Sequence, residues 1–284
     1  MDLRQSLEYG KYLKSLGWQI EKLGKEQVFI RKIPLLGNLI KIQRITPPIP
    51  FSEIEKLVKK YHAFQVIIEP AGGYKLTANS YPFQYRTLKS PFIPTKTLIK
   101  DIKDSEQEIF DSLSKNKRRD IRSAEKNGLL IREGSIENFF QLKKEYLLKK
   151  FILPIGTHKE IKLTCDAFKE KAKILVAEWQ GKIVGGAILL FYDETAYYWQ
   201  AAASDKGKKL LAPTLIVWEA IKLAKKEKCE SFDFEGIYDE RFPENHSWLG
   251  FTHFKEGFRG KEILYPKPLV KNLLLTKITS GLFL

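Results

Sequence analysis

The second half of the chain switches between two hydrophobic periods in a fixed order. The runs ILVAEW, IVGGAILLFY and TAYYWQAAAS begin at Ile174, Ile183 and Thr195 and are divided by the turns QGK and DE, which predicts an antiparallel meander of three strands. From Lys209 to Lys228, Val217, Ala220, Ile221 and Ala224 recur at three- and four-residue spacing with lysines on the other side, the pattern of an amphipathic helix. SFDFEG then reads as a short buried strand, and KEILYP as another.

The first half runs through the same order. WQIEKL, QVFIRKI and NLIKIQRI are strand candidates separated by glycine-containing turns, SEIEKLVKKYHA is a helix with Ser52 as its cap, and FQVIIEP is the next strand. Two units of three strands, helix and strand predict an architecture built twice. Each sheet needs a helical layer over it. The expected class is therefore α/β in the α+β sense, with mixed sheets covered by helices. One domain is expected over residues 1–103, completed by the carboxyl-terminal residues 266–284, and a second over 104–265.

Between the halves lies KDSEQEIFDSLSKNKRRDIRSAEKNG, read as a helical segment. Ser105 with Glu108 forms a capping box, Gly128 is the stop, and Ile109, Leu113, Ile121 and Ala124 make the apolar face. Lys115, Arg119, Arg122 and Lys126 fall at i, i+4, i+7 and i+11, so a helix stacks them in one row. Such a row repels itself unless an anion lies against it; a solvated face and a phosphate-binding face are both open readings. The whole chain is basic, with 49 Lys+Arg against 34 Asp+Glu and a formal charge of +15 over 284 residues, which favours polyanionic partners.

Several chemistries lack their motifs. The sequence has no GxSxG, HExxH, GxxxxGK[ST] or GxGxxG. Its two cysteines, Cys165 and Cys229, form no CxxC pair, so neither a disulfide framework nor a metal site is expected. The amino terminus is amphipathic, without the apolar run of a signal peptide. The longest apolar stretch, Ile183 to Tyr192, is too short to span a bilayer. A cytoplasmic monomer is expected, with peripheral contact to the inner membrane face through the amphipathic stretch LVKNLLLTKITSGLFL.

The strand–strand–strand–turn–helix–strand order resembles the Gcn5-related N-acyltransferase (GNAT) fold, in which the turn before the helix meets a pyrophosphate. Here that turn is SDKGKKLLAP, which keeps Gly207 but not a full glycine pattern. A fuller resemblance is carried by QSLEYGKYLKSLGWQIEKL, by TKTLIKDI leading to KNKRRDIRSAEKNGLLI, by AAASDKGKKLLAPTLIVWEAIKLA, and by DFEGI followed by LGFTHFKEGFRGKEILYP. In this order they are similar to the Fem family, the aminoacyltransferases that build peptidoglycan interpeptide bridges. The likeness is to the compact members, which lack a long helical hairpin.

That resemblance implies two tandem GNAT-like domains, aminoacyl-tRNA as co-substrate with no other cofactor and no metal, and a peptidoglycan precursor as acceptor. Lys255, with Phe254, matches the family's Phe-Lys pair, whose lysine stabilises the transferring carbonyl. Lys11 falls at a lysine for the precursor's phosphates or sugar, and Glu69 at an acidic position beside the acceptor amine. Lys159 stands where the family carries arginine, and Leu163 where it carries an aromatic phenol. From the residues themselves, Phe251, Phe254 and Phe258 surround Lys255 in sequence. Tyr198 and Trp199 lie in the strand before the Gly207 turn, either as core or as substrate contacts. Asp233 and Glu235 alternate with Phe232 and Phe234, which places both acids on one strand face, where either could orient Lys255. Two other readings of the chain are an acyl-CoA-dependent N-acyltransferase and a non-enzymatic RNA-binding or membrane-surface module.

Overall fold

The computed structural model describes residues 1–273, so most of the amphipathic stretch that ends the chain lies outside the described residues. In chain order the elements are α1 (Leu7–Ser15), β1 (Gln19–Leu23), β2 (Glu26–Ile33), β3 (Gly37–Ile45), α2 (Phe51–Lys60), β4 (Ala63–Pro70), β5 (Arg86–Thr87) and β6 (Lys96–Asp101). Then follow α3 (Glu106–Ser112), α4 (Lys115–Lys126), β7 (Leu130–Glu133), α5 (Ile136–Lys149), α6 (Thr157–Phe168), β8 (Ala172–Trp179), β9 (Lys182–Tyr192) and β10 (Thr195–Ala203). The chain continues through α7 (Asp205–Lys209), α8 (Ala212–Lys226), β11 (Ser231–Gly236), α9 (Leu249–Glu256), β12 (Lys261–Leu264) and β13 (Leu269–Asn272).

Two compact units result. One comprises residues 1–96, 239–243 and the chain from Ile263; the other comprises 97–238 and 244–262. The sequence boundary after residue 103 lies one strand later than this division. The reason is pairing: β6 runs antiparallel to β11, with Asp101 opposite Ser231 and Ile99 opposite Asp233. β13 pairs with β4, Leu269 opposite Ile68, and with β5 on its other side, and so joins the first sheet.

The first sheet has the order β1-β2-β3-β4-β13-β5, with β3 and β4 parallel. Alternation sorts its residues: Val28, Ile30, Ile40, Ile42, Val66 and Ile68 share a core with Ile54 and Val58 of α2. Each such side chain removed from water contributes roughly 1.5–3 kcal/mol. Phe29 and Ile67, out of phase with that set, are also fully buried, and Tyr9 of α1 meets the Phe29 ring edge-on at 5.8 Å.

The second sheet has the order β12-β6-β11-β10-β9-β8-β7. Leu175, Ala187, Leu189, Phe232 and Phe234 pack with Val217, Ala220, Ile221 and Ala224 of α8 and with Ile121 and Ala124 of α4. The helical spacing in the sequence thus maps onto a buried stripe. α5 covers the sheet elsewhere, where Gly186 leaves room for Leu142 and Phe139.

Three predicted helices differ in detail. α2 starts at Phe51 with Pro50 as N-cap, and Ser52 Oγ donates to Glu53 instead of capping. The segment around 105–128 is two helices: its Ser105–Glu108 capping box forms, but Leu113 and Ser114 turn extended, and Ser114 Oγ accepts the Lys117 N–H to start α4. A second N-cap residue in mid-segment is enough to restart a helix. The helix predicted from Lys209 is likewise split, because Leu211 takes a left-handed φ of 64° between α7 and α8.

α7 touches the sheet closely. A Cβ on Gly207 would lie 2.0 Å from the Val184 carbonyl oxygen, and the Gly207 N–H already donates to Ser204 Oγ at 3.0 Å. Gly207→Ala is expected to lower stability by about 1–3 kcal/mol through overpacking, seen as a lower urea midpoint at unchanged m-value.

Candidate active site

β10 and β11 are parallel neighbours, but they pair only from Thr195–Ser231 to Tyr197–Asp233. Beyond that point β10 runs on to Ala203 beside β9, with a bulge between Tyr198 and Gln200. β11 turns towards β6, with its own register shift between Asp233 and Gly236. The equivalent strands of the first unit, β3 and β4, stay paired through Ile45–Pro70. The second unit therefore holds a place where two parallel strands part at their carboxyl ends, the position at which α/β sheets accept ligands.

The bulge in β11 is built by one carboxylate. Asp233 is 4% exposed; its Oδ1 accepts the Glu235 N–H at 2.7 Å and the Thr97 hydroxyl. Glu235 consequently sits at φ 60°, a region an L-residue enters only under constraint. This breaks the regular alternation expected for Asp233 and Glu235. Just past the bulge, the Gly236 carbonyl oxygen accepts from Lys255 Nζ at 2.7 Å. Asp233 thus shapes the strand beside Lys255, and its charge also favours the ammonium.

Lys255 lies on α9 and is 9% exposed. Its ammonium stands 4.8 Å from the Phe251 ring centroid, one helical turn away. Phe254 and Phe258 project from another side of the helix, and their rings hold a different cation. Lys117 Nζ of α4 lies 3.9 Å from the Phe254 centroid and 4.9 Å from that of Phe258. The single aromatic cluster read around Lys255 is therefore two clusters with two buried lysines. Lys117 also reaches Thr214 Oγ1 at 3.5 Å, its stem fills the space a Cβ on Gly257 would take, and the Ser114 N–H donates to the Gly257 carbonyl at 3.0 Å. Sequence reasoning missed Lys117, although the signal was present: it occupies the i−4 position of the buried stripe Ile121 and Ala124.

The exposed face of α4 carries Lys115, Arg119, Arg122 and Lys126, as the spacing predicts. Arg119 meets Asp120 at 3.2 Å and Arg122 lies over the Phe110 ring. Lys159 is exposed in the first turn of α6. Tyr198 belongs to the core, where burial pushes its phenol up. Trp199 is the half-buried extra residue of the β10 bulge. Burial likewise pushes both thiols, Cys165 and Cys229, up to about 11, which leaves them unreactive.

In the first unit Lys11 is exposed on α1. Glu69 is 1% exposed, and its two oxygens accept from Gln43 Nε2 at 3.0 Å and the Ile93 N–H at 3.1 Å. Tyr9 OH donates to Gln43 Oε1, so Glu69 ends a buried polar chain and its carboxyl is pushed up by desolvation. Both carboxylate oxygens of Glu69, expected at the acceptor amine, are thus engaged within the unit.

Desolvation dominates the electrostatics of both buried lysines. It brings Lys255 down to about 8, against the opposing pull of Glu235 and Asp233, and Lys117 down to about 8 against Asp120. A lysine in water titrates near 10.4, so between about pH 8 and 10 the unfolded chain binds more protons than the folded one. Stability must then rise with pH across that window. Urea unfolding from pH 7 to 10 is expected to show wild type gaining stability relative to Lys117→Met as the pH increases, with no such trend for an exposed lysine such as Lys126→Met.

Residues 155–264 match the FemAB family model. The fold is similar to the crystal structure of FemX, at 16% identity over 99% of this chain and 94% of that one, with a TM-score of 0.80. It is also similar to the carboxyl-terminal domain of a putative lysylphosphatidylglycerol synthetase from Agrobacterium fabrum, at 12% identity, 99% and 93% coverage and TM-score 0.62. A tandem GNAT protein from the clavulanic acid biosynthesis pathway matches at 8% identity, 89% and 81% coverage and TM-score 0.53. A search of curated proteins returns no sequence match. The segment matched by the FemAB family model runs from Ile155 to Leu264 and so contains the parted strands, the Asp233 bulge and Lys255, within a chain whose fold is tandem GNAT-like and similar to that of FemX.

Proposed function

We propose that this protein is an aminoacyltransferase that moves an amino acid from aminoacyl-tRNA to the stem-peptide amine of a peptidoglycan precursor. The reading rests above all on one observation, the desolvated ammonium of Lys255 held at the carboxyl end of β11 where β10 and β11 separate. The FemAB family-model match over residues 155–264 supports it, and so does the exposed cationic row of α4.

The chemistry follows from the charge. The acceptor nitrogen attacks the ester carbonyl, the N–C bond forms, and the carbonyl oxygen becomes an oxyanion. Collapse breaks the bond to the ribose oxygen, which leaves with the proton lost by the nitrogen. No covalent intermediate on the protein is required, because the ester is already activated. Lys255 opposes the developing negative charge, and it does so more strongly in a water-poor site than it would in bulk water. The Gly236 carbonyl and the Phe251 face fix its position beforehand. Lys115, Arg119, Arg122 and Lys126 meet the tRNA backbone, and Lys11 and Lys159 the precursor. Asp233 is a positioning residue, acting through the bulge.

An acyl-CoA donor is less well supported. The Gly207 N–H that a pyrophosphate would use is spent on Ser204, so acetyl-CoA is expected to leave the thermal midpoint unchanged while UDP-linked muramyl pentapeptide raises it. Lys255→Met is expected to lower kcat by roughly 10²–10³-fold with tRNA affinity retained, measured by mass spectrometry of precursor incubated with charged tRNA. Unchanged turnover in that variant would refute the assignment. The pair Arg119→Glu and Arg122→Glu should weaken tRNA binding and lower the slope of log affinity against log salt by about two.

A further inference from the structure

The connection between α5 and α6 reads KKFILPIGTHK, and it turns its apolar side chains to solvent. Phe151 is 98% exposed, Ile155 84%, Leu153 70% and Ile152 50%, with Leu148 at 46% just before them. Single exposed apolar residues are ordinary, but a contiguous set marks a surface that meets something apolar.

The backbone is arranged to project this set. α5 ends with the Phe151 N–H on the Leu148 carbonyl at 3.0 Å and the Ile152 N–H on the Leu147 carbonyl at 2.9 Å. That is the Schellman termination, whose left-handed position favours glycine. Here the position is Phe151, with φ 58°. A phenyl group is thus kept where glycine would be easier, and its ring is not buried within the unit.

The charged residues within the connection itself are lysines, with Glu145 and Glu160 just outside it. Residues 146–159 contain Lys149, Lys150 and Lys159 and no acidic residue. Lys149 pairs with Asp205 at 2.7 Å, and Lys150 lies over the Tyr146 ring. Lysine is depleted in the core of protein interfaces, whereas an apolar tip ringed by lysines is the composition that anionic bilayers attract. Among the described residues no helix is long and apolar enough to cross a membrane, so this contact is one of surface insertion.

We propose that residues 151–155 insert into the interface of an anionic lipid bilayer, with Lys149, Lys150 and Lys159 against the headgroups. The inference does not depend on the transferase reading, because its test needs no turnover. Wild-type protein is sedimented with phosphatidylcholine vesicles, with and without phosphatidylglycerol. Binding is expected only when the anionic lipid is present, and it should weaken with salt. The triple variant Phe151→Ser, Leu153→Ser, Ile155→Ser should bind at least about tenfold more weakly. Phe151→Gly should have a higher thermal midpoint, since it relieves the left-handed position, and yet bind vesicles less; this separates docking from folding. The proposal is overturned if wild type ignores anionic vesicles, or if the triple variant binds as well as wild type. It is equally overturned if light scattering shows a dimer that the triple variant abolishes, which would make a second copy the occupant.

Discussion

The site depends on one buried carboxylate. Asp233 gives up solvent to hold the Glu235 N–H and the Thr97 hydroxyl, and the strand kinks at a residue that would not otherwise take a positive φ. Just beyond that kink the Gly236 carbonyl accepts from Lys255. The arrangement trades a regular strand for a fixed point of negative potential, a common exchange at functional sites.

A buried ammonium with a carbonyl and an aromatic face for company is poorly solvated, which is why its proton is held more loosely than in water. Lys255 and Lys117 share this condition but differ in surroundings. Lys255 faces the carboxyl end of a strand that has left its neighbour, while Lys117 is gripped by two phenyl rings and the backbone of Gly257. The first is held by the Gly236 carbonyl and the Phe251 face; the second ties α4 to the helix that carries the first. α4 therefore has two faces with separate tasks, one cationic and exposed, one locking α9.

The two units share an order of strands and helices and diverge where it matters. β3 and β4 stay zipped, and the polar chain from Tyr9 through Gln43 to Glu69 fills the space beside them. β10 and β11 cease to pair after Tyr197 and Asp233, three residues before the Gly236 carbonyl that holds Lys255. A fold built twice has in this way kept one half closed and opened the other.

Linear pattern alone carries the repeated strand and helix order, the buried stripe of α8, the capping box at Ser105 and the cationic row of α4. All of these depend on periodicity and neighbours within a few residues, which is what a linear pattern records. It also marked Lys255, through similarity of a short segment to a family. Folding in three dimensions adds that Phe254 and Phe258 serve Lys117, that Glu69 is buried with both oxygens engaged, and that Gly207 is a glycine because Val184 lies against it. Those outcomes turn on which side of a helix faces which strand, and on where a bulge ends a ladder. Such facts come from contacts between residues far apart in the chain, so no local pattern could carry them.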